Sequence, residues 1–473
     1  MFSGTINPEQ QVASEKTLSG LLSDLRQLDT NGVSFEKLGA VVRGFDPTSI
    51  EWERWLPPEP RPGTYSRNVL MMHPVECAIL RWPPGTESAI HWHSGFYGFV
   101  IVLKGMANDT SFTYQNGELS IGRELVGLPY SVIPEEDGMI HRVSNHSDQD
   151  ELLTLHIYYP PLETLGGMKI FDPPTGRIGT LSDEAKAASW SIPPEQFTDI
   201  RENAFTLSPE NETHRMVELG KKPASPTIIR WVKEYYDEQA RHYDAFDMDH
   251  PPRRAYLRTI NRLVADDLRS LSPLNDMLFL ACGTGRRATR IRELSERDFN
   301  ITGVDLSPAM SAVASSRGVD VVASAWMDAQ LDDRTFDAAS LLYAIGHLPS
   351  SRQRLAALLK LNRHLKHGAP FYFDAFSVND EYEWGPEVSR SHDSLDLQER
   401  GYERGDVFYR KTDGKAISFL HYFSESEIRD LLQAAGFEVG WIKYVGYAHH
   451  PGELVETPMK GSFVVKAVKV RDR

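Results

Sequence analysis

Two parts of the chain differ in the spacing of their hydrophobic positions. Between about residues 65 and 170, short apolar stretches alternate with Pro, Gly and Asn, as in "NVLMM", "ECAILRW", "FVIVLKG", "YSVIP" and "LLTLHIYY". Short strands broken by turn residues predict an antiparallel barrel or jelly roll. Before them, "SEKTLSGLLSDLRQL" and "SFEKLGAVVRGF" carry apolar residues at helical spacing, so leading helices are predicted.

The pattern changes after about residue 228. There the apolar strands "MLFLAC", "NITGVDL", "DAASLLYAI" and "APFYFDAF" are separated by helical patterns. This alternation predicts an α/β, Rossmann-like domain with a mostly parallel sheet and helices on both faces. Residues 182–226 are rich in Pro, Glu, Asn and Ser, which indicates a linker. The predicted organisation is therefore an all-β domain over residues 1–181, a linker over 182–226 and an α/β domain over 227–473.

Composition narrows the kinds of partner. With 473 residues, 41% of them hydrophobic, the chain can build several cores. Its formal net charge of -15 argues against nucleic acid and anionic membranes, which bind clustered Lys and Arg, so small-molecule partners are expected. The apolar runs are short of membrane-spanning length and "MFSGTINPEQ" lacks a signal pattern, so a cytoplasmic protein is expected. With Cys77 and Cys282 as its only cysteines, any metal should bind nitrogen or oxygen.

A candidate metal site lies in "SAIHWHSGFY". On a strand, His91 and His93 project from the same face, and two buried rings can satisfy each other's need for a partner through a shared ion. His141, in "DGMIHRVSNHS", can close a three-histidine face across a barrel. A satisfied core histidine is the alternative for either ring alone. Zinc could use the same ligands, but open positions on a redox ion suit oxygen chemistry.

The first 181 residues resemble a cysteine dioxygenase, a cupin-fold iron enzyme. The resemblance runs through "YSRN", "HWHSGFYGFVIVLKG", "GMIHRVSN", "LHIYYPP" and "FDPPTG" in the family's order. It implies that His91, His93 and His141 bind iron(II). It also implies oxidation of the cysteine thiol to the sulfinate, with both oxygen atoms passing to sulfur.

The same resemblance implies roles for four more residues. Arg67 is expected to hold the substrate carboxylate, with a surface salt bridge as the alternative. Tyr158 is expected to direct its hydroxyl toward iron-bound thiolate or oxygen, and His156 to orient that hydroxyl. Tyr65 is expected to line the substrate pocket; Trp82 is expected either to line it or to pack as a core aromatic.

One departure concerns Gly98. Some family members carry cysteine at this position and form a thioether with the tyrosine that matches Tyr158. Glycine cannot form that bond, so Tyr158 is expected to be a free phenol.

The second half carries a nucleotide-type turn, "MLFLACGTGRRATRI". Gly283 and Gly285 allow the backbone to approach a ligand at a helix N-terminus, and Asp305 ends the next strand, where it can accept from ribose hydroxyls. The turn alone would also fit a dinucleotide site.

Further motifs favour another cofactor, because "ACGTG", "VDLSPAM", "FDAASLLYAIGHLP" and "LNRHLKHGAPFYFDAF" resemble a class I S-adenosylmethionine (SAM) methyltransferase over residues 229–468. The upstream "YYDEQARHYDAFD" is similar to that family's helical lead-in. The resemblance implies Gly283 and Gly285 at the amino acid end of SAM and Asp305 on its ribose. It also implies Trp326 and Met327 beside the adenine, with a core position as the alternative for Trp326.

The acceptor side is less defined. Tyr243 is expected at the cofactor site and, with His347 and His421, is a candidate to line the acceptor pocket; no catalytic base is predicted. Phe279 stands where the family usually has an acid, and Ala281 where it usually has glycine, which bears on SAM affinity.

The favoured hypothesis is a bifunctional enzyme that oxidises cysteine and methylates the product or a related molecule. One alternative converts cysteine into a rearranged or decarboxylated sulfur metabolite. Another makes the cupin domain a cysteine sensor that controls the methyltransferase.

Overall fold

The computed structural model describes residues 18–28, 32–49, 51–60, 63–208, 214–382, 400–411 and 414–472, together with Val388 and Leu397. The chain divides into two compact units. Unit 1 comprises Met1–Lys221 with Lys411–Lys415, and unit 2 comprises Lys222–Arg410 with Ala416–Arg473.

Unit 1 is built from two β-sheets whose strands are mostly antiparallel. One has the order β1-β2-β9-β4-β7, and the other contains the path β12-β11-β10-β3-β8-β5-β6-β14. The strands are β1 (Ser66–Met71), β2 (Glu76–Trp82), β3 (Ile90–Trp92), β4 (Tyr97–Lys104), β5 (Ala107–Gln115), β6 (Glu118–Gly127), β7 (Val132–Glu135), β8 (Ile140–Ser144), β9 (Leu152–Tyr159), β10 (Lys169–Asp172), β11 (Arg177–Leu181), β12 (Phe197–Arg201), β13 (Thr206–Leu207) and β14 (His214–Leu219).

Two helices cover the outer face of the first sheet. They are α1 (Leu18–Arg26) and α2 (Phe35–Gly44), and their leucine and valine faces pack in one core with Ile79, Phe99 and Ile157. The Ser34 hydroxyl accepts a hydrogen bond from the Lys37 backbone N–H and so caps α2. Residues 14–17 of the first predicted helix lie outside the described residues.

Strand register decides which side chains face the interior of unit 1. Ile79 and Ile157 pack under the helices, so the alternate residues of β2 and β9 point the other way. Glu76 pairs with Tyr158 in register, and Ala78 with His156. Arg67 pairs with Leu80, which lies in the interior cluster with Ala78. Four polar residues, Arg67, Glu76, His156 and Tyr158, therefore lie on the interior side of this sheet.

The predicted linker differs from the structure. Within residues 182–226, β12 pairs with β11, and β13 and β14 pair with β6 in parallel. The side chains of β12 are mostly exposed, because it is an edge strand. An exposed edge strand has a polar composition close to that of a linker, so the pattern alone did not separate the two.

Unit 2 is an α/β fold around one mixed sheet. Its order is β17-β16-β15-β18-β19-β24-β22-β23, with β15 to β19 mutually parallel and β24 antiparallel to its neighbours. The strands of unit 2 are β15 (Asp276–Leu280), β16 (Asn300–Asp305), β17 (Asp320–Ala323), β18 (Ala338–Leu341), β19 (Pro370–Ala375), β20 (Asp406–Lys411), β21 (Ser418–His421), β22 (Phe437–Val445), β23 (Leu454–Val455) and β24 (Ser462–Lys469).

Helices flank this sheet and lead into it. They are α3 (Ser225–Gln239), α4 (Tyr243–Asp249), α5 (Pro251–Arg269), α6 (Arg286–Ser295), α7 (Pro308–Ser316), α8 (Ser351–Arg363) and α9 (Glu425–Ala434). The sequence Met277–Leu280 is buried throughout because helices cover both faces of the central strand β15. The turn after β15 therefore opens at the carboxyl end of a parallel sheet, where α/β folds bind ligands.

The predicted fold class is confirmed. Unit 1 is a β-rich cupin-like fold with leading helices, and unit 2 has the class I methyltransferase arrangement of strands and helices. Among the described residues, every helix is too short or too polar to span a bilayer.

Candidate metal centre and methyl-donor site

The second sheet of unit 1 brings three imidazoles to one point. His91 on β3 pairs in register with His141 on β8, and His93 directly follows β3. The Nε2 atom of His141 lies 3.1 Å from that of His91 and 2.9 Å from that of His93. His93 and His141 are fully buried.

Hydrogen bonds on the far side of two rings fix their tautomers. His91 Nδ1 lies 3.0 Å from the carbonyl oxygen of Ala89, and His141 Nδ1 lies 2.9 Å from a carboxylate oxygen of Asp109. Because these oxygens accept, each Nδ1 carries a hydrogen and the Nε2 atoms of His91 and His141 point at each other. Nε2 atoms this close must share a positive species, either a proton held by His141 or a metal cation.

The spacing also fits an ion. Two imidazole nitrogens that hold one metal at about 2.1 Å and at right angles lie about 3.0 Å apart. The two measured separations, 2.9 and 3.1 Å, lie on either side of that value. Three nitrogens on one face leave the opposite coordination positions to other ligands, as in sites for oxygen chemistry.

Two buried carboxylates favour positive charge at this centre. Glu135 lies with its carboxylate 3.7 Å from His93 Nε2, and Asp109 binds His141. Burial lowers the pKa of His141, but the charges of Asp109 and Glu135 outweigh it and raise that pKa to about 9. Burial raises the pKa of Glu135 to about 7. The same carboxylates would favour a metal cation at the position of the proton.

A directed chain of hydrogen bonds runs along the facing sheet. The indole N–H of Trp82 donates to Thr154 Oγ1 at 2.8 Å, and Thr154 Oγ1 lies 2.8 Å from His156 Nε2. His156 Nδ1 lies 2.8 Å from the hydroxyl of Tyr158, which donates to Glu135 at 2.7 Å. Because Tyr158 gives its hydrogen to Glu135, the Nδ1–H of His156 donates to Tyr158, and the Nε2 of that neutral ring accepts from Thr154.

The protonation states agree with this direction. Burial, and then the positive charge of Arg67, lower the pKa of His156 to about 3, so the ring is neutral. Burial and the charge of Glu135 raise the pKa of Tyr158, so it remains a phenol. The chain therefore holds the Tyr158 hydroxyl in one orientation.

Arg67 lies inside this layer but already has a carboxylate partner. Its guanidinium donates to Glu76, which is 2% exposed and also accepts a 3.0 Å hydrogen bond from the Leu162 backbone. The Arg67 side chain remains 39% exposed. Tyr65 stacks on Trp82 with ring centres 4.2 Å apart. Arg67 can keep its salt bridge to Glu76 and still bind a substrate carboxylate, because a guanidinium has five N–H donors.

Gly98 lies against the Tyr158 ring. The two residues are paired in register between β4 and β9. A Cβ atom at Gly98 would overlap the carbonyl oxygen of Ile157 and the Tyr158 ring. Glycine is required for the present position of Tyr158.

Of the predicted donor residues of unit 2, all but Gly285 line one cavity of about 920 Å³. Gly283 and Gly285 adopt φ of 57° and 75°, which glycine tolerates best, and Gly285 caps the N-terminus of α6. Asp305 accepts hydrogen bonds from the backbone of Gly283 at 2.7 Å and of Ser307 at 2.9 Å. The carboxylate therefore connects the ends of β15 and β16 at the mouth of the sheet.

Trp326, Met327, Tyr243 and His347 also line this cavity. The indole N–H of Trp326 donates to the Ala357 carbonyl at 2.9 Å, so the ring is anchored in the core at one edge. Met327 is 45% exposed.

Three other residues that the sequence singled out in unit 2 are His421, Ala281 and Phe279. His421, a candidate liner of the acceptor pocket, is instead held by Asp406 at 2.8 Å and Glu427 at 3.0 Å in a buried ionic cluster. Its predicted role as a liner of the acceptor pocket is corrected, because the ring binds partners on β20 and α9.

Ala281 has φ of 49°, a left-handed conformation that costs a residue with a Cβ roughly 1–2 kcal/mol. Phe279 lines the cavity.

Several residues of the first site were missed by sequence reasoning. Glu76, Asp109, Glu135 and Thr154 lie on four different strands and belong to no motif. A buried acid on a strand was the available signal, but burial becomes visible only once the strands are paired.

Comparison with known proteins agrees with the two halves. Residues 6–171 match the family cysteine dioxygenase type I, and residues 277–368 match a methyltransferase domain family. Cysteine dioxygenase type 1 of Danio rerio is 25% identical over 193 residues, covering 39% of this chain and 90% of that protein. The Homo sapiens protein of the same name is 27% identical over 178 residues, covering 36% and 85%.

Solved methyltransferases resemble part of the chain. A SAM-dependent methyltransferase from Clostridium acetobutylicum is 17% identical, with a TM-score of 0.36, and covers 50% of this chain and 99% of that protein. The 1,6-didemethyltoxoflavin-N1-methyltransferase of Burkholderia thailandensis is 16% identical, with a TM-score of 0.37, and covers 53% and 92%.

The family matches and the three imidazoles confirm the main expectations from the sequence. The chain is an enzyme of two kinds, dioxygenase and methyltransferase, with iron and SAM as cofactors. The individual roles assigned to site residues remain predictions.

Proposed function

Starting from a chain that joins a cysteine dioxygenase domain to a methyltransferase domain, we propose a two-step role in sulfur metabolism. Unit 1 oxidises the thiol of L-cysteine or a closely related thiol to a sulfinate. Unit 2 transfers a methyl group to that product or a related small molecule. Both substrates are small, in keeping with the acidic net charge of the chain.

The convergence of His91, His93 and His141 carries the first half of the proposal. Iron(II) bound there would supply open coordination positions for a thiolate and dioxygen. Neutral imidazole ligands bring no negative charge into direct contact with the ion, which favours an anionic sulfur ligand and removes the need for a separate base to deprotonate the thiol.

The facing sheet would position the substrate. Arg67 would share its guanidinium between Glu76 and the substrate carboxylate. The hydroxyl of Tyr158, held by His156 and Glu135, would lie beside the reacting sulfur and fix its surroundings. The thiol proton would leave to solvent when the thiolate binds the ion; thiolate and dioxygen together make up the sulfinate, so the transfer of both oxygen atoms needs no further proton from these residues.

The cavity of unit 2 supports the second half. The left-handed glycines after β15 and the Asp305 carboxylate would hold the amino acid and ribose ends of SAM. SAM supplies an activated methyl group when bound. Orientation of the acceptor supplies most of the rate in such a transfer, so a fixed catalytic base is not required.

One experiment tests both halves on the full chain. The iron-loaded protein is incubated with L-cysteine, air and SAM, and every new mass is identified; a His141→Ala protein serves as the control. A sulfinate that appears only with intact His141, together with a methylated derivative of it, is expected. Absence of any oxygenated thiol would refute the first step. Methylation of an unrelated molecule alone would separate the two activities.

A further inference from the structure

The cavity of unit 2 contains a tyrosine whose hydrogen-bonding role is fixed by a histidine. His347 ends a short helical turn, Ile345–His347, after β18, and Tyr236 lies on α3. Both line the cavity that contains Gly283 and Asp305. SAM and the methyl acceptor would therefore meet in this one cavity.

The tautomer of His347 follows from its backbone contact. Its Nδ1 atom lies 2.6 Å from the carbonyl oxygen of Phe419. A carbonyl can only accept, so Nδ1 carries the hydrogen. Burial lowers the pKa of His347 to about 4, which keeps the ring neutral at physiological pH. Nε2 is then an acceptor.

This tautomer determines what Tyr236 can offer. The Tyr236 hydroxyl lies 2.7 Å from His347 Nε2 and must donate its hydrogen there. With its one hydrogen given to His347, the phenol oxygen has only lone pairs left to offer. Toward the cavity, Tyr236 can accept a hydrogen bond but cannot donate one.

We infer that the methyl acceptor is an amine, and that Tyr236 accepts a hydrogen bond from its N–H while His347 positions Tyr236. The inference rests on the proposed methyltransferase function and names its substrate class. A thiolate or sulfinate has no hydrogen for Tyr236 to accept. An alcohol would need a strong base, whereas the neutral His347 is a weak one.

The amine first loses its ammonium proton to solvent, and the neutral amine then needs no proton transfer in the bond-forming step. Its nitrogen gains the methyl carbon, the carbon–sulfur bond of the sulfonium breaks, and the positive charge passes from sulfur to nitrogen. One N–H bound to Tyr236 orients the nitrogen lone pair, which is the main requirement for in-line transfer. The ammonium product loses its proton later, to solvent.

The tautomer can be tested without any acceptor. Nuclear magnetic resonance of the full chain with isotope-labelled histidine reports which ring nitrogen carries hydrogen, and the His347 signal is assigned by its loss in a His347→Gln protein. Hydrogen on Nδ1 at neutral pH is expected. Hydrogen on Nε2 would overturn the inference, because Tyr236 would then present its own hydrogen to the cavity.

The substrate class is tested with methyl-labelled SAM. The probes are L-cysteine sulfinate and other primary amines, each paired with an analogue that carries hydroxyl, thiol or hydrogen in place of the amine. Label on amine nitrogen is expected. Label on oxygen, sulfur or carbon, or no labelled amine although calorimetry shows SAM binding, would overturn the inference. Failure to bind SAM would instead refute the proposed function and the inference with it.

Variants separate a positioning role from a structural one. Tyr236→Phe should lower kcat/KM for the amine about tenfold, the value of one hydrogen bond of about 1.4 kcal/mol, with SAM affinity unchanged. His347→Leu should do the same, while His347→Gln should restore activity because its amide oxygen can accept from Tyr236. Tyr444→Phe, which loses a hydroxyl bound to Glu425, is the matched control. Equal activity of the Tyr236→Phe and control proteins would contradict the assignment.

Discussion

The carboxylate of Glu76 binds the guanidinium of Arg67 inside the barrel of unit 1. Arg67 is the residue expected to hold the substrate carboxylate, so an internal acid already competes for that role. Glu76 is almost fully buried and held by the Leu162 backbone, so it cannot move aside easily. Substrate affinity is therefore expected to reflect a balance between two carboxylates on one cation.

Replacing Glu76 with glutamine should release Arg67. Glutamine keeps the hydrogen bond from Leu162 but removes the competing charge, so KM for L-cysteine should fall several-fold, up to about tenfold. Steady-state oxygen uptake measures the change. Glu87→Gln is the matched control, because Glu87 pairs with Arg142 and is 52% exposed. An unchanged or raised KM in the Glu76→Gln protein would argue that Arg67 does not bind the substrate carboxylate.

Replacing Thr154 with valine should break the chain that orients Tyr158. Valine has the same shape but can neither accept from Trp82 nor donate to His156, so two buried polar atoms lose their partner. We expect kcat for thiol oxidation to fall about tenfold and unfolding to become easier by about 1–3 kcal/mol. Iron content should stay at the wild-type level.

Thr154→Ser is the control for that change, because serine retains the hydroxyl. It should keep a near-wild-type kcat. Loss of activity in both proteins, or in neither, would mean that the direction of the chain does not control Tyr158.

Adding a methyl group at Gly98 should displace Tyr158. The new Cβ atom would overlap the Ile157 carbonyl and the tyrosine ring, and crowding of this kind costs about 1–3 kcal/mol. Gly98→Ala should therefore lower the Tm and the rate of thiol oxidation together. Gly44→Ala, at a position with open space, should lower neither. A Gly98→Ala protein as stable and active as wild type would be the opposite result.

Removing the Asp305 side chain should weaken SAM binding. The Asp305 carboxylate accepts a hydrogen bond from the Gly283 backbone N–H and is the candidate to bind the ribose of SAM. Asp305→Ala should therefore raise the Kd for SAM tenfold or more. Calorimetry on the full chain measures this. Asp320→Ala, which removes an exposed carboxylate on β17, is the control. Iron-dependent thiol oxidation should be unaffected by either change; equal SAM affinity in both proteins would exclude Asp305 from the donor site.

Much of this arrangement was predictable from local patterns. The spacing of His91 and His93 on one strand, and the glycine turn between a buried strand and a helix, are short-range features with a direct geometric meaning. In the structure the two rings meet at one point, and the glycine turn joins β15 to the N-terminus of α6. His141 was predicted as the third ligand from its place on a later strand of the barrel, and it lies directly opposite His91.

The remainder depended on strand pairing that no local pattern encodes. Glu76 faces the interior because β2 pairs with β9 in a register that places it opposite Tyr158. Glu135 reaches Tyr158 from β7, two strands away in the sheet. His421 was a candidate to line the acceptor pocket but binds Asp406 and Glu427, which come close to it only after folding.

The central claim is that His91, His93 and His141 hold iron where a thiol and dioxygen react. The most direct measurement supplies isotopically labelled dioxygen and L-cysteine to the iron-loaded chain and determines the origin of the oxygen atoms in the product. We expect cysteine sulfinate with both oxygen atoms from dioxygen, and none from the His141→Ala protein. Unlabelled sulfinate, or the same labelled product without His141, would contradict the account.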